Sequence, residues 1–498
     1  MIDVLDVDGN SILHATCGKS CQDSRFIINY ARGSRLNATK NEYGEIIRLL
    51  LGKSCDLNVL NNDGQSVLHA ACAFGDTEIV DILLRNNSNV NQCDKEKQTP
   101  LFIACKKGYI DIVKLLIESK CEIFNHSLIG QTVLHAVCSG SNLKYMNVET
   151  FTGHKDILTL LIDKKCDVNI SDNNSQTPLH IASYKGNVAL VEILLRNKCV
   201  VDQCDVSNKT SFFLACEEGH KDVVKSLINY NCNMDIRDKI RRSALHAVCT
   251  CTTHSMYSMF GNEDDRVDIA ELLINKKCGV YDLDDAGQST LHAVCNLSNP
   301  GIVKLLLDNK LEVDQRDKMG ETPIFNACRR CHSDVLKLLI EWNCDVNVLN
   351  INGLNALNIV FNLEFKGRRM VLFRTELKKV VKLLVDNDCS VNICDADGQT
   401  PLHRACRKGY ADIAELFLKR NSNINQCNKL MKTPLILAVE GRHTKVVELL
   451  VEYKCDINIC DKDGRTARDI AVENQFVDIE NILLNAMKNT NAHDACTE

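Results

Sequence analysis

Ser and Thr recur along this chain just ahead of short apolar runs. The slot holds Ser11, Ser66, Thr99, Thr132, Thr177, Thr210, Ser243, Ser289, Thr322, Asn355, Thr400, Thr433 and Thr466. Each side chain offers an oxygen that accepts from an orphan backbone N–H, so each marks a helix N-terminus. Pro100, Pro178, Pro323, Pro401 and Pro434 follow the slot directly. That is the first helical position, where a missing N–H costs little. A second apolar pattern at helical spacing comes next, as in Ile79-Val80-Ile82-Leu83-Leu84 and Val446-Val447-Leu449-Leu450. An extended Asp-Val-Asn stretch and an Asp/Gly turn close the unit. The elements predicted are two antiparallel helices and a short hairpin-like finger.

The unit repeats at a constant period. Gly64, Lys97 and Gly130 mark the same turn in successive units, and Gly287, Gly320 and Gly353 recur at the same interval. One helix pair cannot bury its apolar face alone, so such units stack. The cleanest copy is Asp395-Ala-Asp-Gly-Gln-Thr-Pro-Leu-His403, with variants ending in His69, His180 and His292. Period and signature resemble the ankyrin repeat. The resemblance implies an all-α fold, an α-solenoid of about 13 ankyrin repeats in a superhelical stack, with strand-like segments only in the fingers. Residues 1–6 read as a lead-in, 7–484 as the array and 485–498 as a polar tail. The unit 461–484 reads as a cap, because Arg468 replaces an apolar residue.

A longer period overlies the first. Gly130, Arg241, Gly353 and Gly464 recur at every third unit, and one unit in each three is longer than the others. The array therefore reads as four blocks of three repeats plus the cap. The last unit of each block replaces the signature His by Phe102, Phe213, Phe325 or Ile436. Extra residues fall between first and second helices, at about 18–43, 139–153, 250–266 and 362–378. These expected loops carry Tyr145, Met146 and Phe151, then Met256, Tyr257, Met259 and Phe260, then Phe365, Met370 and Phe373. They offer a second candidate interaction surface, ranked below the fingers and first helices.

The net charge of −6, from 59 Lys+Arg and 65 Asp+Glu, argues against a nucleic-acid partner. No apolar run is long enough for a transmembrane segment. Met1-Ile-Asp-Val-Leu-Asp6 does not read as a secretory signal, so the expected location is the cytoplasm, with the nucleus second. The 27 cysteines are then expected as thiols. Nine end the first helices: Cys17, Cys72, Cys105, Cys138, Cys216, Cys249, Cys295, Cys328 and Cys406. Nine more follow the second helices: Cys55, Cys121, Cys166, Cys199, Cys232, Cys278, Cys344, Cys389 and Cys455. A small thiol packs much as Ala does. Cys328 and Cys331 make a Cys-x2-Cys, but nothing supplies the other half of a zinc module. No metal or cofactor is expected.

His14, His69, His135, His180, His246, His292 and His403 each precede Cys or Ser by three residues. The resemblance assigns them to a hydrogen-bond network rather than to catalysis. No phosphate loop or nucleophile elbow appears, so no catalytic residue is named and the chain reads as a non-enzyme. The leading function is a protein-interaction scaffold or adaptor, a monomeric array holding partner proteins on its fingers and first helices. Candidate partner-binding residues there are Lys106, Lys107, Tyr184, Lys185, Glu217, Glu218, Arg329, Arg330, Arg407 and Lys408. The alternatives are a recruiting subunit of a ubiquitin ligase or phosphatase complex, or the soluble arm of a membrane protein if the chain is a fragment. Some ankyrin repeats are substrates of the asparaginyl hydroxylase that acts on hypoxia-inducible factor. Asn58, Asn169, Asn347 and Asn458 fit that Leu-x5-Asp-apolar-Asn context. The favoured reading is that they merely stabilise the finger turn.

Overall fold

The computed structural model describes residues 5–18, 40–52, 56–140, 148–250, 263–297, 299–361 and 370–494. Among them are 26 α-helices and no β-sheet. The N-cap slot works as its chemistry requires. Ser66, Thr99, Thr177, Thr210, Ser243, Thr400, Thr433 and Thr466 all have extended backbone at the cap. The Thr99 hydroxyl accepts from the Phe102 N–H at 3.2 Å, and the Thr210 hydroxyl from Phe213 at 3.2 Å. Thr322 occupies the slot without that bond. The sixth proline, Pro300, opens a second helix behind the Asn299 cap.

The chain forms two compact units, divided near residues 239–270. In the first, the first helices Val67–Phe74, Pro100–Lys107, Val133–Gly140, Pro178–Tyr184 and Ser211–Glu218 pack in series. The second helices Thr77–Arg85, Ile110–Glu118, Val148–Asp163, Val188–Arg196 and Lys221–Asn229 form a parallel row. In the second unit, Thr290–Cys295 packs on Pro323–Arg330 and that on Ala356–Val360. Pro401–Arg407 packs on Pro434–Glu440 and that on Ala467–Glu473. Burial follows the apolar periodicity: Val67, Leu68, Ala71 and Cys72 on a first helix, Ile79, Val80 and Leu83 on its partner.

Fingers join tip to tip rather than as a sheet. The Lys95 N–H donates to the Asp63 carbonyl at 2.9 Å, Leu128 to Glu96 at 2.7 Å, and Ile351 to Met319 at 3.0 Å. The strand-like content is three isolated bridges, Leu60 with Ser66, Cys204 with Thr210, and Leu283 with Ser289. At the foot of the fingers, among the described residues, a non-glycine residue takes the left-handed conformation, as at Lys120, Lys198, Asn231 and Lys454.

Two expectations change. The inserted segments are not loops throughout, because second helices begin inside them at Lys40, Val148, Glu263 and Met370. Met370-Val-Leu-Phe-Arg-Thr-Glu-Leu has no Gly or Pro and is mostly Met, Leu, Arg and Glu, so the helix extends into the insertion. The remaining residues, including Tyr145, Met146, Met256–Phe260 and Phe365, lie outside the described residues, as do Cys55 and residues 1–4. The polar tail is likewise helical to Asp494, as part of Val477–Asp494. An exposed helix and a polar tail share a composition, so composition could not separate them.

Candidate functional site

Seven histidines fill one buried slot and tie their repeats to the ones that follow. In His403, Nδ1 accepts from the Thr400 N–H at 3.1 Å and lies 2.8 Å from its hydroxyl. Nε2 lies 3.2 Å from the Lys432 carbonyl. A carbonyl only accepts, so the ring carries its proton on Nε2. His14, His69, His135, His180, His246 and His292 repeat this, with Nε2 2.9 to 3.2 Å from a carbonyl of the following repeat. Asn358 takes the slot in another repeat; its Nδ2 donates to the Ile393 carbonyl at 3.0 Å. Burial lowers the pKa of each His in the slot, and that of His403 to about 4. With both ring nitrogens occupied, none can serve the Cys three residues on as a base.

The buried thiols are equally inert. Burial pushes Cys17 up to about 12 and Cys166 to about 11, and raises Cys105, Cys295 and Cys328 further. Only a thiolate attacks or ligates. Cys328 and Cys331 are both buried. Among the described residues no group of three or more His, Cys, Asp or Glu is placed to hold a metal.

A second set of histidines builds the surface that carries the candidate residues. His154, His220, His332 and His443 lie in second helices or just before them. Their Nε2 atoms donate to the carbonyls of Lys106, Tyr184, Asn296 and Arg407 at 3.0 to 3.2 Å. Those carbonyls end first helices, where no intrahelical donor remains. The backbone under Lys106, Tyr184 and Arg407 is thus fixed by a later repeat. Gly186 and Gly409, at φ 73 and 72°, make room for the rings. A Cβ there would stand 2.6 Å from His220 Nδ1 and 2.5 Å from His443 Nδ1.

The candidate side chains separate into two kinds. Lys106, Lys107, Arg330 and Arg407 are exposed at helix ends. Glu217 and Glu218 are not; they retain 5% and 7% exposure, so this pair is no solvated charge patch. Glu217 pairs with Lys209 at 2.6 Å. Burial, then the neighbouring Glu217, raises the Glu218 pKa against the pull of Arg266, Lys209 and Lys185. The Arg266 guanidinium donates to the Glu217 carbonyl at 2.9 Å. Arg329 is half-buried and pairs with Glu321 at 2.6 Å. The Lys185 ammonium lies over the Tyr184 ring, 5.4 Å from its centre, and burial lowers its pKa. Lys408 is half-buried.

Sequence reading missed the rule behind this sorting. The residue before the N-cap pairs with a residue eight positions on: Lys209 with Glu217, Glu321 with Arg329, Lys432 with Glu440, Arg465 with Glu473. Opposite charges at that spacing were the available signal. The finger asparagines do hold finger structure, but across repeats. Asn58 Oδ1 accepts from the Asn89 N–H at 3.2 Å, Asn169 from Val200 at 2.7 Å, and Asn347 from Ser390 at 2.8 Å. Asn458 stands in the last finger, where the following chain is helix; its own N–H donates to Asp456 at 2.9 Å.

Family models for ankyrin repeats match residues 36–127, 120–201, 146–238, 255–350 and 415–494, and a further one 383–438. Together they cover well over half of the chain. Among solved structures, the chain is similar to an ankyrin repeat domain from Acinetobacter baumannii, at 23% identity and a TM-score of 0.35. That match covers 39% of this chain and 96% of the other. No curated protein matches. No helix among the described residues is long and apolar enough to cross a membrane.

Proposed function

Because the chain belongs to the ankyrin-repeat family, whose repeats generally mediate protein–protein interaction, we propose that it is a non-catalytic scaffold. It works in the cytoplasm and holds partner proteins along its fingers and first-helix ends. One observation carries this reading. The buried histidines and thiols are consumed by the frame, while Lys106, Lys107, Arg330 and Arg407 stand exposed at helix ends. At Lys106 and Arg407 the backbone beneath is locked by histidines. A fixed backbone with variable tips loses little entropy on binding.

The test is cross-linking mass spectrometry on a partner captured by the full chain. Cross-links should reach Lys107, Lys318 and Lys429 on the finger and first-helix edge. Cross-links confined to Lys304 and Lys382 on second helices, or to Lys144 and Lys366 in the insertions, would reject this surface.

A further inference from the structure

Charge in the second unit is sorted by exposure. Carboxylates near the first-helix ends are matched: Glu321 by Arg329 at 2.6 Å, Asp395 by Arg404 at 2.5 Å, Glu440 by Lys432 at 2.5 Å. Arg330 and Arg407 lie beside these pairs, exposed, and form no ion pair with a described residue. The fingers add Lys318, Lys429 and Lys462, also exposed. Their backbones are fixed, because each N–H donates to the previous finger, at 3.0, 2.9 and 3.1 Å. Asp285, Asp397 and Asp463 are exposed carboxylates at these fingertips, and Glu312, Asp345 and Asp456 are exposed elsewhere on the fingers, so the fingers carry both signs and the cation excess is confined to the helix ends, where the acids are already neutralised.

We propose that the finger and first-helix edge of this second unit takes an acidic, extended segment of a partner protein, with Arg330 and Arg407 as its two anchoring cations. The proposal rests on the scaffold reading above and names the chemistry of its partner. Exposed guanidiniums with no ion pair among the described residues present donors in the fork that carboxylates match. Arg330 and Arg407 belong to repeats two steps apart, about 20 Å at roughly 10 Å per packed helix. An extended chain crosses that gap in about six residues. Acidic residues at that separation satisfy both arginines at once, and Lys318 and Lys429 flank the path. Helical or globular acidic partners place their carboxylates less readily along such a line.

The test uses the full chain and a fluorescent peptide with two glutamate pairs about six residues apart. A glutamine version and a single-stranded oligodeoxynucleotide of similar length serve as comparators. Anisotropy should show binding of the glutamate peptide that weakens with salt. The double variant Arg330→Glu, Arg407→Glu should lose roughly tenfold or more in affinity. Lys304→Glu, Lys382→Glu, which changes charge equally on second helices, should stay within about twofold. Circular dichroism checks that both remain folded, and Lys318→Glu, Lys429→Glu provides a second, fingertip-only variant. Equal binding by the arginine variant overturns the proposal, as does equal binding of the glutamine peptide. Tighter binding of the oligonucleotide overturns it in favour of a nucleic-acid surface. A natural partner that cross-links to the finger edge but is captured equally by the arginine variant leaves the scaffold reading standing and removes the acidic class.

Discussion

Residues 217–218 of the first unit and 329–330 of the second occupy the same place in the repeat, one three-repeat block apart, with opposite charge. In the first unit both are glutamates, and both are buried. In the second both are arginines, and only the leading one is tied down. The residue before the N-cap changes sign with them, Lys209 in one case and Glu321 in the other. The leading position is thus part of the frame, and its sign is free as long as its partner follows. The trailing position has no ion pair of its own within its repeat among the described residues. In the first unit it is buried and feels Arg266, from the helix after an insertion, as well as Lys209 and Lys185; in the second it faces solvent. In these two blocks the charge pair is therefore one structural residue and one variable residue, whereas Lys106 and Arg407, at the leading position behind the uncharged Gln98 and Gln399, stay exposed.

Swapping charges puts the equivalence of the two leading positions under the greatest strain. Glu321→Lys should set two cations against each other and strip the Asn350 amide of its acceptor. The expected loss is roughly 3 kcal/mol, below that of a fully buried pair because Arg329 is partly exposed. Adding Arg329→Glu recreates the Lys209–Glu217 arrangement and should restore most of that loss. Chemical denaturation of the four proteins in this cycle measures the coupling, and no recovery in the double variant would sever the two pairs as equivalents.

Acidification should separate the units further. The first has four slot histidines, His14, His69, His135 and His180; the second has three, with Asn358 in a fourth place. Their folded pKa values lie below the unfolded 6.5, so the unfolded chain binds more protons and low pH favours it. The stabilisation is complete above about pH 6.5 and is lost as pH falls through the folded values, near 4 for His403. That residue alone accounts for about 3 kcal/mol. Hydrogen exchange between neutral pH and pH ~4 should show protection falling first around the His slots of the first unit, and least around Asn358.

Smaller effects come from the helix C-terminus. Gly219 and Cys331 are again equivalent positions one block apart, and both are left-handed, at φ 80 and 57°. Gly219→Cys should destabilise by about 1 kcal/mol, whereas Cys331→Gly, which relieves the same backbone strain but removes a buried side chain, should shift the denaturation midpoint less. The smallest effect concerns modification. Asn58, Asn169 and Asn347 hold the next repeat through their side chains, and an enzyme must pull them out. An asparaginyl hydroxylase should therefore modify Asn458 first, which peptide mass spectrometry can rank; earlier modification of Asn169 would refute the order.

Most of the frame was legible because it is local. The N-cap slot, the prolines behind it and the apolar spacing all act within one turn or one repeat, so residue type and separation suffice. Burial of the cysteine slots follows from the same register. The candidate site was legible only as positions. Lys106, Lys107, Arg330 and Arg407 kept the exposure expected of them, whereas Glu217 and Glu218 did not. Their burial depends on Lys209 and on Arg266, which lies beyond an insertion.

The repeat, its helices and the residue at which each first helix begins were dictated by the order of amino acids, because those are short-range preferences of backbone and side chain. Which charges are spent and which are offered was settled by the folded repeat and its stacking. Finger asparagines and the second set of histidines act between groups that the stacked repeats bring together, and the ion pairs join positions eight apart that the folding of a single repeat brings together. Whether a side chain is paired is a property of its neighbours in space, and a single residue identity does not contain it.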